Sequence, residues 1–165
     1  MLKIVTIPDP ILNKKTALVK DIDTSIKKLV NEMIEACREA NGIGLAAPQI
    51  GKSIRLCIIN LENVGLEPFA LINPKIVKKS WKKNEMEEGC LSIPGVFGIV
   101  KRPAKIKVKA QNLNGEEKTF DADGLLARVI QHEVDHLDGI LFTSKIIRKT
   151  LRESHKKHKE NEEKM

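Results

Sequence analysis

The sequence predicts an α+β domain in which antiparallel β-sheets pack around a central helix, with an N-terminal helix before them and a C-terminal helix after. Three observations lead there. Residues 24–40 and 123–137 repeat apolar side chains at helical spacing. The stretch between them breaks into short apolar or alternating runs divided by turn residues. The order helix, strands, helices lacks the alternation of strand and helix that builds a parallel sheet. A length of 165 residues suits one core. The expected organisation is one domain over residues 1–147 and a basic helix or tail over 148–165.

In the first helix Ile26, Leu29, Val30, Met33, Ile34 and Cys37 share one face. Asp23 or Thr24 caps its start and Asn41-Gly42 ends it. Residues 55–60, 69–72 and 75–79 read as short strands. Residues 105–110 alternate strictly, as in a strand with one buried and one wet face. Asn114-Gly115 is a hairpin turn leading to residues 118–120. The second helix runs from about 123 to 137 and stops at Gly139. A third begins near Thr143, its start docked by Ile146, Ile147 and Leu151, and carries the basic tail.

Net charge is +7, from 29 basic and 22 acidic residues. Residues 144–165 hold eight Lys/Arg and four Glu, so this segment alone contributes +4. A basic tail points to an anionic partner, weighed against a solvated helix end. An RNA-binding module is disfavoured, because one Trp, four Phe and no Tyr leave no stacking platform. No apolar run reaches membrane-spanning length. The N-terminal stretch has neither the apolar core nor the cleavage site of a signal peptide, so the expected location is the cytoplasm. Three cysteines, an odd number without framework spacing, argue against disulfides. Cys37 and Cys57 sit in apolar settings and read as buried thiols. Cys90 follows Glu87-Glu88-Gly89 in what reads as a polar loop, where a core cysteine has no place.

The strongest local signal is His132-Glu133-Val134-Asp135-His136. On a helix, i and i+4 are neighbours, so two imidazoles can hold one metal ion. Glu133 lies about 100° round the helix from His132, near enough to handle a proton of metal-bound water. The competing reading is a chance match on a buried helix. A catalytic metal needs a third protein ligand and an open position. The spacing that would put a third histidine at 142 finds Phe142. Glu153 and Glu160 lie in a highly charged segment, poor ground for a dry site. Cys90 is the better candidate, with Gly89 allowing close backbone approach. His155 and His158 read as solvated.

Three segments together resemble the motifs of the peptide deformylase family: Gly42-Ile43-Gly44-Leu45-Ala46-Ala47-Pro48-Gln49, Glu88-Gly89-Cys90-Leu91-Ser92 and Gln131-His132-Glu133-Val134-Asp135-His136. The resemblance implies a metal-dependent amidohydrolase that removes the formyl group from N-formylmethionyl nascent peptides. Cys90, His132 and His136 would be the metal ligands and Glu133 the general acid–base. Gln49 would donate to the oxyanion, joined by the Leu91 backbone N–H. Ile43, Leu125 and Val129 are candidates for the methionine pocket. Gly44 and Gly89 offer backbone to an extended peptide. Glu88 and Asp135 would support the ligands, with Arg102 as partner. Ligand chemistry alone suggests zinc; the resemblance implies Fe(II), with nickel, cobalt or zinc possible in preparations. It also implies ribosomal RNA contact through residues 148–159; the expected assembly is a monomer, with no membrane contact. Phe97 and Arg128 depart from many members, standing where an arginine near the substrate backbone and an aliphatic residue at the pocket edge occur. The alternatives are a metallopeptidase using a tail glutamate, and an inactive relative that only binds nascent chains. Intact Glu133 and Gln49 argue against the latter.

Overall fold

The computed structural model describes residues 1–150. It contains helices α1 (Thr24–Glu39) and α2 (Gly124–Leu137) and eight strands. These are β1 (Gly44–Ala46), β2 (Leu56–Ile59), β3 (Phe69–Lys79), β4 (Lys83–Cys90), β5 (Ile93–Pro103), β6 (Lys105–Gln111), β7 (Glu117–Asp123) and β8 (Ile146–Thr150). They form two antiparallel sheets, ordered β1-β2-β3-β6-β7 and β4-β5-β8. Among the described residues no helix is long and apolar enough to cross a membrane.

The larger sheet lies between the two helices. Period-two alternation sends Leu56 and Ile58 to the α1 side, with Val30, Met33 and Cys37. It sends Cys57 and Ile59 to the α2 side, with Ile130, Val134 and Leu137. This explains the unbroken apolar run of β2: both faces are covered. Asp23 caps α1 by accepting from Ile26 N at 3.1 Å, a contact worth about 1 kcal/mol.

Two expectations are corrected. Cys90 is not in a loop. It ends β4, which pairs with β5 along its length, Glu88 opposite Gly98 and Cys90 opposite Ile93. The third helix is absent from residues 143–150. Phe142–Lys145 is a single 3-10 turn, and Ile146–Thr150 pairs with β5 as β8. Ile146 lies flat on Gly98, where an added Cβ would meet its Cδ1 at 2.7 Å. That contact holds the segment in the small sheet and seals an apolar cluster with Ile93, Val100 and Phe142. Ile147 points outward and is exposed. Leu151, His155, His158, Glu153 and Glu160 lie outside the described residues, as does the expected helical tail from 151 onward.

Candidate metal centre and active site

The two sheets meet at α2, and His132 of the histidine pair looks out between them onto a cavity of about 460 Å³. Its lining includes Ile43 and Gly44 from the first segment, Gly89, Cys90 and Leu91 from the end of β4, and Leu125, Val129, His132 and Glu133 from α2. Gln49 also reaches it, while His136 is buried behind it.

The ligating atoms of Cys90, His132 and His136 lie within 4.8 Å of one another. Cys90 Sγ is 3.2 Å from His136 Nε2. Tetrahedral bonds of ordinary length place sulfur and nitrogen ligands about 3.6 Å apart, so the trio is already close to a metal's dimensions. His132 Nδ1 bonds Glu88 Oε1 at 2.9 Å, which leaves Nε2 facing the cavity. The field there favours a cation. Burial alone would lower the pKa of His132, but hydrogen bonds with Cys90 and Glu88 outweigh it and raise it to about 10. A group of residues that holds a proton so firmly also fits a divalent ion in its place. His136 goes the other way: burial and the charge of His132 lower it to about 3, keeping its imidazole neutral, as a ligand must be.

Glu88 is the hub of the support. Its carboxylate accepts from Arg102 Nε at 2.6 Å and Nη2 at 2.9 Å, and from Arg128 Nη1 at 2.8 Å. Burial works to raise its pKa, yet the bonds from His132 and Arg102 hold it well below the usual carboxylate range. Arg102 Nη1 also reaches Asp135 at 2.8 Å. Arg102 is therefore a partner of both carboxylates, and its side chain is only 3% exposed.

Arg128 borders the cavity, but its charge is turned inward. Besides Glu88 it donates to Val100 O at 2.8 Å, and through Nη2 to Asn84 O at 3.0 Å and Oδ1 at 2.8 Å. The ring of Phe97 lies on Gly89. Phe142, at the position where a third histidine was sought, packs its ring against His132 with centroids 5.8 Å apart and supplies a dry wall.

Glu133 is buried against β1. An added Cβ on Gly44 would meet Glu133 Oε1 at 2.6 Å, so only glycine admits this carboxylate. Burial raises its pKa to about 7. Its Oε2 is buried without a hydrogen-bond partner, the signature of a group reserved for a ligand or water. Gln49 is clamped. Its Oε1 accepts from Ala46 N at 2.9 Å, which forces Nε2 toward Ser92 Oγ at 3.2 Å and Cys90 Sγ at 3.5 Å. Ser92, fully buried, was not foreseen as part of the site. Its place two residues after Cys90 was the available signal. Asn84 was missed as well, since β4 was not recognised as a strand.

The sequence model of the polypeptide deformylase family matches residues 1–152. The chain belongs to that family. It has peptide deformylase activity, removing the N-formyl group from nascent peptides. Among curated relatives, the peptide deformylase of Dictyoglomus thermophilum is 47% identical over 148 residues, covering 90% of this chain and 94% of that one. The crystal structure of the deformylase from Thermotoga maritima superposes with a TM-score of 0.85 at 42% identity, covering 88% of this chain and 97% of that one. The Met-Ala-Ser-bound class I type b deformylase of Acinetobacter baumannii gives 0.83 at 35% identity, covering 88% and 98%. Among the described residues the deformylase fold has two helices and two antiparallel sheets, and the Cys90/His132/His136 cluster is consistent with the family's metal site.

Proposed function

We propose that Cys90, His132 and His136 hold the metal of this deformylase and that Glu133, Gln49 and Leu91 carry the chemistry on N-formylmethionyl peptides. The observation that carries this is convergence: the Gln49 amide and His136 Nε2 both point at Cys90 Sγ, 3.5 and 3.2 Å away. A divalent ion at such a donor set acidifies water and polarises a carbonyl oxygen. Glu133 takes a proton from the attacking water and returns it to the amine as the formyl C–N bond breaks. Gln49 Nε2 and the Leu91 N–H donate to the oxygen on which negative charge develops. Gly44 and Gly89 line the cavity with bare backbone that an extended peptide can lie along. The ion is proposed to be Fe(II), with nickel, cobalt or zinc able to replace it, since thiolate and imidazole accept all four. One catalytic unit over residues 1–147 working as a cytoplasmic monomer completes the reading, and the basic residues of 148–159 are proposed to touch ribosomal RNA, read by salt-sensitive co-sedimentation with ribosomes.

The test is formate release from formyl-Met-Ala-Ser with bound metal measured alongside. Gln49→Leu removes an oxyanion donor and is expected to lower kcat by about 10²–10³, roughly 3–4 kcal/mol of transition-state stabilisation. A change confined to KM would reduce Gln49 to a structural role. The same assay checks the pocket. Ile43, Leu125 and Val129 offer apolar walls, and Arg128 is committed to Glu88 and Asn84. Formyl-Met peptides are therefore expected to exceed formyl-Glu peptides in kcat/KM, because a buried carboxylate would find no partner. Equal values would mean that Arg128 leaves Glu88 to meet the substrate.

A further inference from the structure

The connection from β3 to β4, which passes from the large sheet to the small one, centres on Lys78-Lys79-Ser80-Trp81-Lys82-Lys83. Trp81 is the only tryptophan of the chain, and it is 100% exposed. A tryptophan normally buries a large apolar area, so a fully wet one at the tip of this connection is not there for packing. Nor is it there by looseness of the turn. Ser80 N donates to Lys105 O at 2.9 Å, and Lys105 N donates to Ser80 Oγ at 3.0 Å. Ser80 Oγ donates in turn to Lys82 O at 2.7 Å, and Ala104 N to the same carbonyl at 2.9 Å. The tip is thus tied to the β5–β6 connection and presents its indole from a fixed base.

Lys78, Lys79, Lys82 and Lys83 are all exposed, and among the described residues none of them forms an ion pair. Beside the tip runs a groove lined by Lys78, Lys79, Lys105 and Lys107, with Asp121 and Asp123. Asp121 already lies 3.9 Å from Lys107 Nζ. None of these six residues lines the cavity at Cys90.

We propose that this tip is an RNA-docking contact, in which Trp81 stacks on an unpaired base and the flanking lysines neutralise backbone phosphates. Aromatic ring plus unpaired cations is the chemistry of single-strand binding. One tryptophan is too little for an RNA-binding module, as the composition implied, but one exposed ring on a hydrogen-bonded turn between two lysine pairs is enough for a docking contact. A lipid surface is the poorer match, because membrane-seeking segments offer an apolar face and Trp81 is the only apolar side chain from 78 to 83. The activity gives such a contact a use, since nascent peptides emerge beside RNA.

The single tryptophan makes the test direct. The metal-loaded full chain is titrated with a short single-stranded oligoribonucleotide while tryptophan emission is followed. Saturable quenching is expected. Affinity should fall with salt with a logarithmic slope of about −3, near −0.7 for each of four neutralised phosphates. Trp81→Ala, read by anisotropy of a labelled oligonucleotide, should bind about tenfold more weakly, and Trp81→Phe should recover most of that loss. Lys79→Gln with Lys82→Gln should flatten the salt slope. Formyl-peptide turnover should be unchanged in all of them. Absence of quenching at low salt, or equal affinity in Trp81→Ala, overturns the proposal. A blue shift on anionic phosphatidylglycerol vesicles with no response to RNA overturns it too, in favour of a membrane surface.

Discussion

Replacing Cys90 with alanine is expected to remove metal and activity together. Two imidazoles alone leave an ion half-coordinated, and among the described residues no other carboxylate or thiol joins the cluster. The sulfur also receives the Gln49 amide, so its loss frees the oxyanion donor as well. The fold should persist, because Cys90 lies at the rim of its apolar cluster and β4 is held by its pairing with β5. Metal content by elemental analysis, formate release and melting temperature are measured on the same preparation. Should Cys90→Ala keep full occupancy while Glu153→Ala or Glu160→Ala loses it, the ligand set proposed here is wrong.

Glu133→Ala should separate chemistry from metal. The ion stays, and kcat falls by about 10²–10⁴, the usual worth of a positioned acid–base. Stability should hold or rise. The wild-type carboxylate is buried, its Oε2 has no partner, and burial pushes its pKa to about 7, so it is held at a cost. Glu133→Gln, which fills the same space, guards against a cavity effect. Activity within a few-fold of wild type in both variants would remove Glu133 from the mechanism.

The elements readable in the sequence are those whose burial follows one period. Helices α1 and α2 each bury an apolar face against the large sheet, and the β6–β7 hairpin within that sheet buries one against α2, and their spacing says so. Strands β4 and β5 were not legible for a physical reason. The inward side chain of β4 at Glu88 is charged, and it is satisfied by Arg102, Arg128 and His132, which come from elsewhere in the chain. Pairing of charges across sequence leaves no hydrophobic pattern, so the strand, Cys90 included, reads as a polar loop. Arg128 does stand at the pocket edge, but the inward commitment of its charge was not legible for the same reason: its acceptors on β4 and β5 are 44 and 28 residues away. The error at β8 is different. Ile146 and Ile147 fit a helix start as readily as a strand, and what decides is Gly98 on β5, whose missing side chain makes a seat for Ile146. The residues around the metal were more legible, because local spacing on α2 fixes the histidine pair, whereas the clamp on Gln49 by Ala46 and Ser92 needs the fold.

Glu88 has no spare valence. A carboxylate has room for about four donors, and Arg102 fills two places, Arg128 one and His132 one. Such a saturated node behaves as a keystone rather than as a single link. Shortening it by one methylene would keep its charge and yet pull it from all three partners at once, so a nominally mild exchange would be a drastic one. Variation in this corner of the molecule is then confined to matched sets, with changes at 84, 88, 102 and 128 tolerated only in company, while the substrate-facing walls a few ångströms away remain free to drift.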